Sequence, residues 1–128
     1  MNATTNTTVT VPALSTDIAD LVDDLTGFHP VLDRAVAALA DLATADLDAD
    51  GSQSVVAALG AFDTGNVATL LGLVVRRIAS PDSNPALADL PADRKQTLRR
   101  LGAEYAAALD DSYVGQLAAE ASAVIEGG

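Results

Sequence analysis

From Ile18 to Ile125 the large apolar residues recur at helical spacing and never in the strict alternation of a half-buried strand, which confines the body of this chain to helices. The first set is Ile18, Leu21, Val22 and Leu25, with Asp17, Asp20 and Asp24 turned away from it. Ser15 or Thr16 can cap this helix and Gly27 ends it. Pro30, at a first helical position, opens a second helix running to about Asp46. Leu32, Ala35, Val36, Leu39 and Leu42 form its stripe, and Asp33, Arg34 and Asp41 its solvated side. The Asp-rich turn "DLDADGS" leads to a third helix with Val55, Val56, Leu59 and Phe62. Gly65 or Asn66 interrupts the chain, and Asp63 or Thr64 caps a fourth helix, Val67 to Ala79. Leu70, Leu71, Leu73, Val74, Val75 and Ile78 leave that helix almost no polar face, so it is expected to be the central, most buried element.

Ser80 to Pro91 holds three prolines and reads as the longest loop, with room for one helical turn at Ala86 to Leu90. Pro91 opens a fifth helix with Leu98, Leu101, Tyr105 and Leu109 as its buried stripe. A sixth, from Asp111 or Ser112, buries Val114, Leu117, Ala118, Ala121, Val124 and Ile125. The expected fold is all-α: one small bundle of five or six helices over residues 15–128, preceded by an arm over residues 1–14. A chain of 128 residues suits a single domain. With 17 Leu, four aromatics and a large share of Ala, its core is built from small side chains and tight helix packing. The arm is rich in Thr and Asn, with Val9 and Val11 at strand spacing, and is either floppy or an extended strand for a neighbour's sheet edge.

The formal net charge is −11, with 15 Asp among 18 acids and six Arg among seven bases. Phosphate neutralisation needs Lys and Arg on one face, so nucleic-acid binding is not the expected main role. Short hydrated carboxylates with almost no Lys are the balance of halophilic proteins, in which high salt screens self-repulsion. A GC-rich genome favours the same residues. Zero cysteines exclude disulfides, thiolate metal sites and cysteine nucleophiles. The start, "MNATTNTTVTVPAL", has neither a basic region nor an apolar core of a targeting signal, so the Asn2 and Asn6 sequons are read as chance matches. The most apolar run is cut by Arg76 and Arg77 after about nine residues, short of the ~20 a bilayer requires.

Asp46, Asp48 and Asp50, followed by Gly51 and Ser52, resemble positions 1, 3 and 5 of a calcium-binding loop with the glycine at position 6. Ala57 stands where the bidentate Glu belongs and Gln53 where an aliphatic residue belongs. Ca2+ held by Asp46, Asp48, Asp50 and Ser52 is therefore weighed against a solvated helix-turn-helix loop, and no other cofactor is expected. Six of the seven bases fall in two clusters: Arg76 and Arg77, and Arg94, Lys95, Arg99 and Arg100. They are candidates for docking an acidic partner, including the Asp-rich first helix of a neighbouring copy. The competing reading is local: Arg76 and Arg77 complement a helix C-terminus, and Arg100 pairs with Glu104. His29, the only imidazole, is read as a cap or packing residue. No nucleophile elbow or phosphate loop is present, and an enzyme is not expected.

The order "PVLDRAVAALADLA", an Asp/Gly turn, "GNVATLLGLVVRRIA" and "RRLGAEYAAALDD", over about residues 30 to 113, resembles the small helical head-tail connector (adaptor) proteins of tailed viruses. The resemblance is one of helix order and Ala/Leu texture. It implies a non-enzymatic subunit of a ring below the portal in a virion neck, here of a virus of a haloarchaeon. Its partners would be copies of itself and neighbouring portal or tail proteins, with the Arg94 to Arg100 helix a contact for a neighbour or for exiting DNA. A cytoplasmic haloarchaeal scaffold or regulatory protein and a weak calcium-binding module are the alternatives.

Overall fold

The computed structural model describes residues 10–62 and 65–127, and among them the chain is all-helical. The Asn2 and Asn6 sequons, Val9, most of the expected arm and the candidate caps Asp63 and Thr64 lie outside the described residues. The helices are α1 (Thr16–Leu25), α2 (Pro30–Ala43), α3 (Ala49–Val56), α4 (Val67–Ala79), α5 (Ala92–Leu109) and α6 (Ser112–Gly127). A π-helical segment, Ala57–Ala61, prolongs α3, and one 3-10 turn, Pro85–Leu87, sits in the long loop slightly ahead of the expected Ala86 to Leu90. The chain divides into two compact units, Met1–Leu47 and Asp48–Gly128.

In the first unit α1 packs on α2. Ser15 precedes α1, but its hydroxyl donates to the Asp17 carboxylate, and Asp17 in turn accepts from the Ile18 N–H at 2.9 Å. The turn between the helices uses Gly27 at φ 105°, where a side chain would be strained. The Gly27 N–H donates to Asp33 Oδ1 at 2.9 Å, so Asp33 serves the turn rather than a solvated face. His29 caps α2, its Nδ1 accepting from the Val31 N–H at 3.1 Å, and Pro30 takes the first helical position. That helix stops at Ala43 rather than near Asp46. Thr44 leaves helical geometry, and beyond it the Asp48 carboxylate accepts from the Gly51 N–H at the start of the next helix.

In the second unit α3 and its π segment pack on α6, and α4 packs on α5. Asn66 caps α4, accepting from the Thr69 N–H at 2.9 Å. The packing faces differ from those expected from hydrophobicity. A Cβ on Gly72 would lie 3.0 Å from the Ala106 Cα, and one on Gly102 would lie 3.3 Å from the Arg76 Cα, so α4 and α5 meet through backbone. Gly60 meets Ala118 at the same kind of distance, 3.1 Å. On α6 Ser122 is buried, and its hydroxyl donates to the Gln53 carbonyl of α3 at 3.2 Å.

These close approaches turn the larger apolar residues outward. Gly72 is the only buried residue of α4, so that helix is not the buried centre: Leu70 is 60% and Ile78 61% exposed. On α5 the covered stripe is Leu98, Gly102, Ala106 and Leu109, while Leu101 and Tyr105, expected inside, are exposed. On α6 it is Gly115, Ala118, Ser122 and Ile125, with Val114, Leu117, Ala121 and Val124 outside. Small residues let backbones come close, and the bulky neighbours then have no room between the helices.

Candidate functional site

The outward face of α4 carries a run of exposed apolar residues. Positions 72, 75, 76 and 79 form the α5 side of the helix, as the contacts of Gly72 and Gly102 require. On the opposite side Val67, Leu70, Leu71, Val74 and Ile78 recur at i, i+3, i+4, i+7 and i+11, all exposed. Arg77, also exposed, stands at the C-terminal end of this stripe. Arg76 sits beside Gly102 of α5, which brings the end of α4 next to the helix that carries the second basic cluster.

Within that cluster the structure separates engaged bases from free ones. Arg99 forms a two-pronged pair with Asp82 of the long loop, Nε to Oδ2 at 2.9 Å and Nη2 to Oδ1 at 2.8 Å. Bonding to the guanidinium holds the Asp82 carboxyl below the usual carboxylate range and raises the Arg99 value in turn. Arg100 pairs with Glu104 one turn on, at 3.2 Å, as its spacing indicates. Among the described residues Arg76, Arg77, Arg94 and Lys95 have no ion-pair partner. The Asp82 anchor, 17 positions from Arg99 and across a loop, gives no periodic signal in the sequence.

The first unit carries a second apolar feature, an open groove of about 350 Å3 between α1 and α2. Ile18, Leu21, Leu25 and Leu39 line it and are all exposed, while Val36 at its floor is buried. Its surroundings are acidic: Asp17 lines the groove, and Asp20, Asp23 and Asp24 are exposed on α1. The Asp17 carboxyl is held below the usual range by its bonds from the Ser15 hydroxyl and the Ile18 N–H, so it stays ionised.

The Asp46 to Ser52 segment, weighed above as a calcium loop, spans the start of α3. Asp48 is the N-cap of α3, its Oδ1 accepting from the Gly51 N–H at 2.6 Å, and Asp50, Gly51 and Ser52 belong to the helix instead of continuing a loop. An Asp one turn before a Gly-Ser pair is an N-cap signal as much as a metal signal, and here Asp48 Oδ1 serves as the cap. Among the described residues no group of three or more His, Asp or Glu side chains could hold a metal.

A further cleft of about 430 Å3 lies in the second unit between the start of α4 and the α5–α6 turn, lined by Phe62, Asn66, Asp110, Asp111 and Val114 among others. The Thr69 hydroxyl reaches Asp110 Oδ1 at 3.5 Å. His29, the one imidazole, is in the other unit and engaged as a cap. No described helix is long and apolar enough to cross a membrane. No family model, no curated protein and no solved structure matches this chain.

Proposed function

We propose that this chain is a non-enzymatic assembly subunit: a ring-forming head-tail connector of a tailed virus of a halophilic archaeon, resident in the virion. Its partners are further copies of itself and adjoining portal or tail proteins, with DNA a secondary contact of the free bases. The observation that carries the assembly reading is the outward turn of the apolar residues, above all the continuous α4 stripe from Val67 to Ile78. A monomer seldom leaves a contiguous apolar surface of this kind in water, whereas an oligomer interface is made of one. The connector identity rests on the helix order and texture over residues 30 to 113, and the halophilic habitat on 15 Asp against a single Lys.

Negative-stain electron microscopy of the purified chain in multimolar salt, alone and with its genome-encoded portal protein, tests this reading. Closed rings of uniform diameter are expected, alone or seated on the portal. Uniform single-chain particles in both samples would contradict it.

A further inference from the structure

The ring reading leaves open which surfaces meet, and the second unit carries two that differ. On α6 the side turned away from α3 holds Val114, Leu117, Ala121 and Val124, all exposed, with Val124 at 74%. Steps of three, four and three residues are the spacing of a coiled-coil seam, so the surface that fits this side is another helix. On α4 the side turned away from α5 holds Val67, Leu71, Val74 and Ile78, exposed and stepped by four, three and four.

Charge selects the covering helix. Glu120 lines up with Leu117 and Val124 on α6, and no base follows Arg100 in the chain, so the α6 seam is flanked by acid alone. Its cover needs a base in line with apolar residues. Residues 1–47 fit poorly, with Arg34 their only base against seven acids. On α5, Arg99 and Arg100 are already paired, and Leu101 and Tyr105 are the only large apolar residues left exposed. Arg77 of α4 stands three residues after Val74 and directly before Ile78, exposed and with no ion-pair partner among the described residues. Both seams belong to the second unit and both are open in a single chain, so its α4 does not cover its own α6.

We propose that the outer α6 seam of one copy receives the outer α4 seam of a second copy, antiparallel, with Val74 and Ile78 against Val124 and Ala121 and with Arg77 beside Glu120. This inference rests on the assembly reading and specifies its interface. Arg77 and Glu120 each precede a seam position by one residue, and equivalent flanks of two helices fall on the same side of the pair only when the helices run in opposite directions. Each copy presents one α4 seam and one α6 seam, so repetition of the contact makes a head-to-tail chain that closes when its rotation closes. An acid-flanked seam facing a base-flanked one also disfavours pairing of α6 with α6.

Disulfide trapping tests it, since the chain has no cysteine of its own. One variant carries Val74→Cys and a mass tag, and the other carries Val124→Cys without a tag; both positions are exposed. The two are mixed in multimolar salt, mildly oxidised and resolved on a non-reducing denaturing gel, and the wild-type mass is read by sedimentation. The expected result is that wild type assembles and the disulfide between tagged and untagged chains exceeds both same-variant disulfides about tenfold, because only that pair is brought within bonding distance. Monomeric wild type would overturn both the assembly reading and this interface. Assembled wild type without an excess of the mixed disulfide would overturn the interface and leave the assembly reading standing. A disulfide within one chain carrying Leu21→Cys and Val124→Cys would assign the α6 seam to the first unit and overturn the role of the second copy.

The charge pair gives a second reading that needs no cysteine. Arg77→Glu is expected to weaken association about threefold, and Glu120→Arg in the same chain to restore most of it. No weakening, or weakening without recovery, would overturn the proposed register.

Discussion

The hairpins α1/α2 and α4/α5 are each two consecutive helices packed on one another, yet they solve the packing problem in opposite ways. In α4/α5 the axes approach through Gly72 and Gly102, each against backbone of the facing helix, and the long loop is tied back by Asp82 and Arg99. Its bulky residues are displaced to the outside. In α1/α2 the bulky residues face the partner helix, but two helices cannot enclose them, and a groove remains over Val36. One hairpin thus presents an apolar ridge and the other an apolar trough. A hydrophobic stripe on a helix indicates that something covers it, and it does not indicate that the same chain does so.

The largest effect on this contrast is expected at Gly72. Gly72→Val places branched bulk where a single Cβ would already stand 3.0 Å from the Ala106 Cα, forcing α4 and α5 apart. Overpacking of this kind costs about 1–3 kcal/mol, and urea unfolding should show a lower midpoint. Gly102→Ala is the gentler version. Its Cβ meets the Arg76 Cα at 3.3 Å, and removing a mid-helix glycine gains up to ~1 kcal/mol of helix propensity. A change near zero is expected there, and a loss as large as that of Gly72→Val would mean the two close approaches are equally rigid.

At the next size, Asn66→Ala removes the cap on the Thr69 N–H and should cost about 1 kcal/mol, read by the same unfolding curve. The smallest effect belongs to the loop tie. Asp82 is depressed in the folded state, so its stabilisation is present above the ordinary carboxylate value and is lost as the pH falls through the lower folded value. Asp82→Asn should therefore lower stability slightly at neutral pH and converge with wild type at acid pH, with α1/α2 unaffected. A difference that persisted unchanged in acid would show that the carboxylate charge is not what ties the loop. Lowering salt from multimolar toward physiological lengthens the screening distance from ~3 to ~8 Å. Helicity should then fall, beginning in the Asp-rich α1, and an unchanged circular dichroism signal would remove the halophilic reading.

The sequence exposes the helices and their starts well, because these are local. Pro30 with His29, the Gly65–Asn66 break and the Pro91 start each announce a helix without reference to the rest of the chain. Faces are less legible. Leu101 and Tyr105 read as core only if bulk is assumed to point inward, and the glycines that decide otherwise look like weak helix formers until the opposing backbone is in view. The same applies to the basic residues. Arg100 with Glu104 follows from spacing, but the engagement of Arg99 by Asp82 depends on how the long loop returns, which no periodicity encodes. The Asp46 to Ser52 motif is ambiguous by spacing alone because capping and calcium binding draw on the same residue types, and Asp48 caps a helix here.

The central claim is that apolar residues left open by each chain are covered by association. Light-scattering mass across a size-exclusion column, in multimolar salt and over a range of protein concentrations, tests it most directly. The account predicts a discrete multiple of 12.9 kDa that persists on dilution to the micromolar range. A mass of one chain at every concentration would contradict it.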